Sequence, residues 1–147
     1  MTPAEALRAT VGRLEAAGLA KARSPLGVEN QPSTLIDRSF SVTPSGVQPV
    51  GDRGRAGSAG FRVRQPLEVR LCHRLVPGDG LAAPETALED TVRAIRALVA
   101  QDTALDAAGP VEIGEVRYTY AGAGAYFITT IPIWLVYNLD LRTEVPA

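Results

Sequence analysis

The sequence predicts an α+β fold: a mainly antiparallel sheet with two helices packed on it and a long Gly/Arg-rich hairpin loop. Three observations carry this reading. Phe61 to Val76 alternates, with Phe61, Val63, Leu67, Val69, Leu71 and Leu75 on one parity and Arg62, Arg64, Glu68, Arg70 and Arg74 on the other. That is the pattern of an antiparallel strand with one solvated face. Ala125 to Leu141, AYFITTIPIWLVYNLDL, is crowded with the β-branched and aromatic residues that favour strands. Two further stretches place apolar residues at helical spacing. The order helix, strand, long loop, strand, helix, strand, strand implies helices layered on a sheet.

The first helix runs from Pro3 to Ala17. Thr2 is positioned as its N-cap, Pro3 suits the first turn, and Glu5 stands at the capping-box spacing. Leu7, Val11 and Leu14 form its apolar face, and Gly18 is its C-terminal stop. Lys21 to Ser33 is turn-rich. Leu35 to Val42 alternates as a strand, with Ile36, Arg38, Phe40 and Val42 on one parity. Thr43 to Gly60, TPSGVQPVGDRGRAGSAG, shows no periodicity and is punctured by glycine and proline. Loops of this length inside a compact domain are usually functional or disordered. The strands on either side of it read as the arms of a long hairpin.

Pro77 to Ala83 is a turn. Pro84 to Gln101 is the second helix, with Leu88, Val92, Ile95 and Val99 as its expected buried stripe. Glu85, Glu89 and Asp90 favour its positive N-terminal end. Val111 to Tyr120 is another strand, and AGAG at Ala121 to Gly124 is a hairpin turn into the final run. Unbroken, that run would be about 56 Å long, against a radius of gyration of about 15 Å for a domain of this size. Pro132 near its middle cannot donate a ladder bond, which points to a bulge or an edge position. Both parities of the run are apolar. The expectation is a strand that serves its own core on one side and a neighbouring subunit on the other.

At 147 residues the chain reads as one domain, 1–147, with residues 43–60 as an extended loop. The single cysteine, Cys72, excludes an intrachain disulfide and suggests a reducing compartment. Neither a signal peptide nor a membrane span is expected. Charge is uneven: +1 over residues 1–36, +4 over 37–74 and −6 over 75–147. A basic middle and an acidic C-terminal half fit either solvated faces or head-to-tail association.

No converging set of catalytic groups is legible. Cys72 and His73 are strand neighbours and so point to opposite faces, which opposes a nucleophile–base pair. Zinc-ligand spacing is absent. Gly122 and Gly124 precede a strand rather than a helix, so no phosphate cradle is expected there. GSAG around Ser58 lacks a nucleophile-elbow context. The reading is no enzyme, no cofactor and no metal site. Arg38, Arg53, Arg55, Arg62, Arg64, Arg70 and Arg74 could neutralise phosphates. The aromatic interleaving of an RNA-binding sheet is missing, and arginine equally suits protein interfaces.

Taken together, the chain resembles the tail terminator (tail completion) proteins of tailed bacteriophages. The features that carry the resemblance are the N-terminal helix, the extended Ser39-Phe40-Ser41-Val42 strand, the Gly/Arg loop, and the Leu67 to Leu75 strand. They continue with the helix from Pro84 and a closing hairpin ending ITTIPIWLVYNLDL, with Ile131 to Tyr137 followed by Asp140-Leu141-Arg142. The resemblance implies a structural virion protein. It would form a homo-oligomeric ring, expected to be a hexamer, at the head-proximal end of the tail. That ring would stop tube polymerisation and join the tail to the head connector. Its implied partners are other copies of itself, the tail-tube protein, a connector or stopper protein, and genomic DNA passing through the lumen without sequence recognition. Arg53, Arg55, Arg62 and Arg64 are the expected subunit or lumenal interface, with Tyr126 and Trp134 as apolar contacts. Alternatives are a head-closure or neck protein of the same region, a small DNA-binding adaptor, or a small enzyme or ligand-binding domain with a pocket at His73 or the aspartates.

Overall fold

The computed structural model describes residues 2–21, 38–49, 61–76, 78, 80–100, 111–121 and 126–139. The helices are α1 (Pro3–Ala16) and α2 (Ala82–Val99). The strands are β1 (Ala20–Lys21), β2 (Ser39–Pro44), β3 (Gln48–Pro49), β4 (Phe61–Arg74), β5 (Val111–Ile113), β6 (Arg117–Ala121) and β7 (Tyr126–Leu139). All seven strands join one sheet in the order β1-β2-β4-β7-β5, with β3 also on β4 and β6 also on β7. Every pairing is antiparallel except β1 with β2. The fold class is therefore α+β, as the sequence implies.

The sheet is built outward from its two longest strands. β4 and β7 pair without a register break from Phe61↔Leu139 to Arg74↔Tyr126. Each carries shorter partners on its outer side. β4 takes β3 at Val63 and Arg64, then β2 from Leu67 to Cys72. β7 takes β6 from Tyr126 to Thr130, then β5 from Ile133 to Leu135. A proline sits at each changeover: Pro66 on β4 and Pro132 on β7. Pro66 accepts a backbone bond from Ser45 N–H (3.2 Å), and Pro132 accepts one from Gly114 N–H (2.8 Å). In a strand, a residue's nitrogen and carbonyl point to the same side. Both prolines therefore turn their missing donor to the outer gap and cost the central pairing nothing.

This corrects the expectation for Pro132. β7 is a central strand with neither an edge position nor a bulge at this residue. The proline instead divides the outer partner, so the predicted strand Val111 to Tyr120 is two strands, β5 and β6. The loop expectation changes too. β2 continues to Pro44 and β3 returns to the sheet at Gln48–Pro49, so the first part of Thr43–Gly60 is sheet-bound. Residues 50–60 lie outside the described residues, as do 22–37.

Register assigns the faces. Val63, Leu67, Val69 and Leu71 share the inner face with Ile131, Ile133, Leu135 and Tyr137, and β2 adds Phe40 and Val42. These side chains form the core with Ala6, Leu14, Ala94 and Leu98 of the helices. α1 begins with the expected box: Thr2 N–H donates to Glu5 Oε2, and Glu5 N–H donates to Thr2 Oγ1. It packs on β1, β2 and α2, while α2 lies over β4, β7 and β5.

The helices are tied down by polar groups. Arg13 Nη1 donates to the carbonyls of Ala97 and Ala100, satisfying the exposed C-terminal end of α2. Tyr137 Oη donates to Gln65 Oε1 (2.7 Å), and Gln65 Nε2 donates to Pro3 O (3.3 Å), joining the sheet to the start of α1. Burial raises the Tyr137 pKa above its ordinary value of 10.0.

The turn at Gly114 generates a stability prediction. A Cβ there would meet the Trp134 ring at 2.7 Å and Pro132 Cγ at 2.9 Å. Gly114→Ala is expected to destabilise the fold by about 1–3 kcal/mol through overpacking. Gly12→Ala, inside α1 with open space around it, is expected to stabilise it by about 0.5–1 kcal/mol. Denaturant melts of the two variants check both signs.

Candidate functional site

Four of the six sequence-predicted interface residues fall on one side of the sheet. Arg62, Arg64, Trp134 and Tyr126 share the parity that faces away from the helices. The other two, Arg53 and Arg55, lie outside the described residues. Arg62 is exposed. Arg64 lies 4.6 Å over the Trp134 ring centroid, and its Nη2 reaches Glu112 on β5 at 2.9 Å. Register explains the arrangement: Arg64 is opposite Val136, one pleat from Trp134, and Trp134 is opposite Glu112. Trp134 is thus held half-buried between a guanidinium and the close backbone of Gly114. The cation–π contact and the exposed ion pair are each worth about 1 kcal/mol or less. They fix the shape of the surface more than they stabilise the fold.

Tyr126 sits at the far end of the same face, and it is buried. So are its neighbours Ser39, Ser41, Cys72 and Ile128. The surface formed by this outer face therefore centres on Arg62, Arg64 and Trp134, with the half-buried Pro66 and Pro132 beside them.

A second surface contradicts the expected helix stripe. α2 buries Ala87, Asp90, Thr91, Ala94 and Leu98. Leu88, Val92 and Val99 are 53%, 47% and 50% exposed, and Ile95 is half-buried. Two causes rotate the helix. Ala87 and Ala94 are small and allow close approach to the sheet, and Asp90 is drawn inward by cationic and imidazole partners. Arg93, Arg96, Ala97 and Ala100 line the groove against α1. At 100° per residue, Leu88, Val92, Ile95 and Val99 lie on the opposite flank. On that same side of the sheet β6 presents Tyr118 and Tyr120, 41% and 64% exposed, on either side of Phe127 at centroid distances of 5.6 and 5.4 Å.

Asp90 is held by several polar partners. It is fully buried. Arg38 grips it with Nε at 3.1 Å and Nη2 at 2.8 Å, and His73 Nε2 lies 2.7 Å from Oδ2. Arg93 Nη1 stands at 3.6 Å. Arg38 reaches it with φ of 58°, a left-handed conformation that costs a non-glycine residue about 1–2 kcal/mol. His73 Nδ1 is buried with no hydrogen-bond partner among the described residues. Facing a carboxylate oxygen, Nε2 is the ring nitrogen that donates. A cavity of about 200 Å³ opens beside the cluster, lined by Arg38, His73, Arg74 and the first turns of α2. Both Asp90 oxygens and His73 Nε2 are already committed to one another. Acid–base work on a ligand would have to break those bonds, so the cluster acts as a clamp joining β2, β4 and α2.

The sequence reading missed this cluster and the Gln65–Tyr137 pair. The signal was present: Gln65 and His73 interrupt the apolar parity of β4. As expected, Cys72 and His73 face opposite sides of the sheet. Among the described residues, no group of three or more His, Cys, Asp and Glu side chains is placed to hold a metal ion. No helix among them is long and apolar enough to cross a membrane.

The clamp predicts a pH dependence. Burial pushes the Asp90 pKa up, but hydrogen bonds from Arg38 and His73, with their charges, outweigh it and hold the carboxyl below its ordinary value of 3.8. A carboxylate shifted this way contributes stability that is complete above the unfolded pKa and lost as pH falls through the folded one. Asp90→Asn should cost stability at pH 7, below the about 3–5 kcal/mol of a fully buried pair because Arg38 is half exposed. It should also flatten the loss of stability below pH 3.8 that is expected of the unmodified protein. Urea melts across pH 2–7 measure both.

Compared with known proteins, the chain matches no protein-family model and no curated protein.

Proposed function

We propose that the chain is the subunit of a closed homo-oligomeric ring, and that this ring is a tail terminator at the head-proximal end of a phage tail. In that role it ends tail-tube polymerisation and presents a surface to the head connector, within the virion neck. One observation carries the ring reading: α2 folds with its longer apolar stripe turned outward. Leu88, Val92 and Val99 stand exposed, and Tyr118 and Tyr120 stand exposed on the same side of the sheet. Apolar surface removed from water is worth about 25 cal/mol per Å², and contiguous patches of this kind mark interaction sites.

The outer face supports the same reading from the other side. Arg62, Arg64, Arg70 and Arg74 of β4 share it with Arg117 of β6, against Glu68 and Glu112. A molecule with an apolar, acid-bordered surface on one side and a basic surface on the other is suited to head-to-tail contacts, which close into rings or run on as filaments. Passage of DNA through the lumen requires no base recognition, and a basic lining would serve it through phosphates alone.

The tail-terminator assignment rests on the resemblance of element order and of the closing hairpin. The purified protein is expected to elute as a discrete multiple of its 15.5 kDa chain mass and to appear as closed rings by electron microscopy. Replacing Arg62 and Arg64 together by glutamate should shift it toward monomer. A single monomeric species at every concentration, alone and with tail tubes, would overturn the proposal. Rings that bind portal-side connector but never tail tubes would place it in head closure instead.

A further inference from the structure

Which surfaces meet in the ring can be read from their charges. We infer that the outward flank of α2 in one copy docks on the outer sheet face of the next copy, around Arg62, Arg64 and Trp134. The inference rests on the ring reading and specifies its contact.

The two surfaces are complementary. The flank sets Leu88 and Val92 beside Glu85 and Glu89, both exposed and without an ion pair among the described residues. The outer face sets half-buried Trp134, Pro66 and Pro132 beside Arg62, which is exposed and likewise has no ion pair among the described residues, and beside Arg64. The salt bridge of Arg64 to Glu112 is itself solvent-exposed, with side chains 37% and 52% accessible. Apolar centres therefore meet apolar centres, and exposed acids meet solvent-accessible bases. Of the basic residues of α2, Arg93 turns toward α1, and Arg96 borders the flank one turn beyond Val92, so the acidic part of the flank is its N-terminal half around Glu85 and Glu89.

Symmetry removes the competing arrangements. A two-fold contact through the flank would set Glu85 and Glu89 against their own copies. A two-fold contact through the outer face would set Arg62 and Arg64 against theirs. The unlike pairing sets Glu85 and Glu89 against Arg62 and Arg64 without placing either cluster against its own copy. The two surfaces lie on opposite sides of one sheet, so they cannot meet within a chain. Each copy uses one surface for each neighbour, as a head-to-tail ring needs, and closure then depends on the rotation between copies.

The experiment is a charge exchange read by analytical ultracentrifugation. Glu85→Arg with Glu89→Arg should weaken association at least about tenfold, as should Arg62→Glu with Arg64→Glu. Combining all four changes in one chain should restore the ring, because the reversed surfaces are again opposite in sign. A like-with-like contact would stay repelled in the fourfold variant, so failure to recover would overturn the inference. Leu88→Ser with Val92→Ser provides a second arm that leaves the core untouched. It should reduce association while leaving the monomer's melting transition unchanged. A lowered melting transition would mean that the chain's own segments cover the flank, and would also overturn the inference. If the ring forms with unchanged affinity in every variant, this contact is wrong while the ring reading stands. If the unmodified protein is monomeric throughout, both fail.

Discussion

The unbroken pairing of β4 with β7 is the constraint on which the rest of the structure depends. Fourteen residues of each strand are matched without a bulge. Because side chains alternate, that single register decides which face every residue of both strands occupies. A one-residue slip would bring Arg62, Arg64 and Arg70 into the core and expel Val63, Leu67 and Val69. The two prolines show how such long strands are kept compatible with a small domain. Each ends one outer ladder and begins another, so four short strands do the work of two long ones. Trp134, packed against Pro132 and the bare Gly114, locks one of those changeovers in place.

Packing alone does not decide how α2 lies on this platform. The helix offers two stripes, one larger and apolar and one small with a carboxylate. The second wins because Asp90 finds Arg38 and His73 on the sheet side, and because Ala87 and Ala94 admit close contact. Burying an ion pair is seldom a gain in net stability, since desolvation offsets much of the attraction. Its effect here is orientational. With Asp90 fixed, the rotation of α2 is fixed, and Leu88, Val92 and Val99 are left facing water. The outward turn of this apolar stripe is a consequence of the clamp. Arg13 at the far end of the helix reinforces the same orientation by capping its last carbonyls.

Much of the platform was legible in the sequence. The alternation of β4, the capping box at Thr2 and Glu5, and the hairpin into β7 all follow from local chemistry. Pro132 was recognised as a ladder break, but its side was not. Whether a proline's missing donor faces a neighbour or a gap depends on pairing, and pairing is not local. The α2 stripe was misread for a similar reason. Periodicity ranks faces by hydrophobicity, whereas the buried face was selected by two residues that lie 52 and 17 positions away from Asp90. Of the candidate site, Arg62, Arg64 and Trp134 are brought together on one face as a surface. Tyr126 shares that face but is buried, since parity fixes direction and not cover.

The central claim is that one copy's outward helix flank meets the next copy's outer sheet face. The most direct test is bismaleimide crosslinking between two differently tagged preparations, one carrying Leu88→Cys and the other Arg62→Cys. Buried Cys72 should stay unlabelled in both. The expected result is efficient crosslinking between the two tags in the mixture and little within either preparation alone. Crosslinks confined to identical tags, or none at concentrations where rings are present, would contradict it.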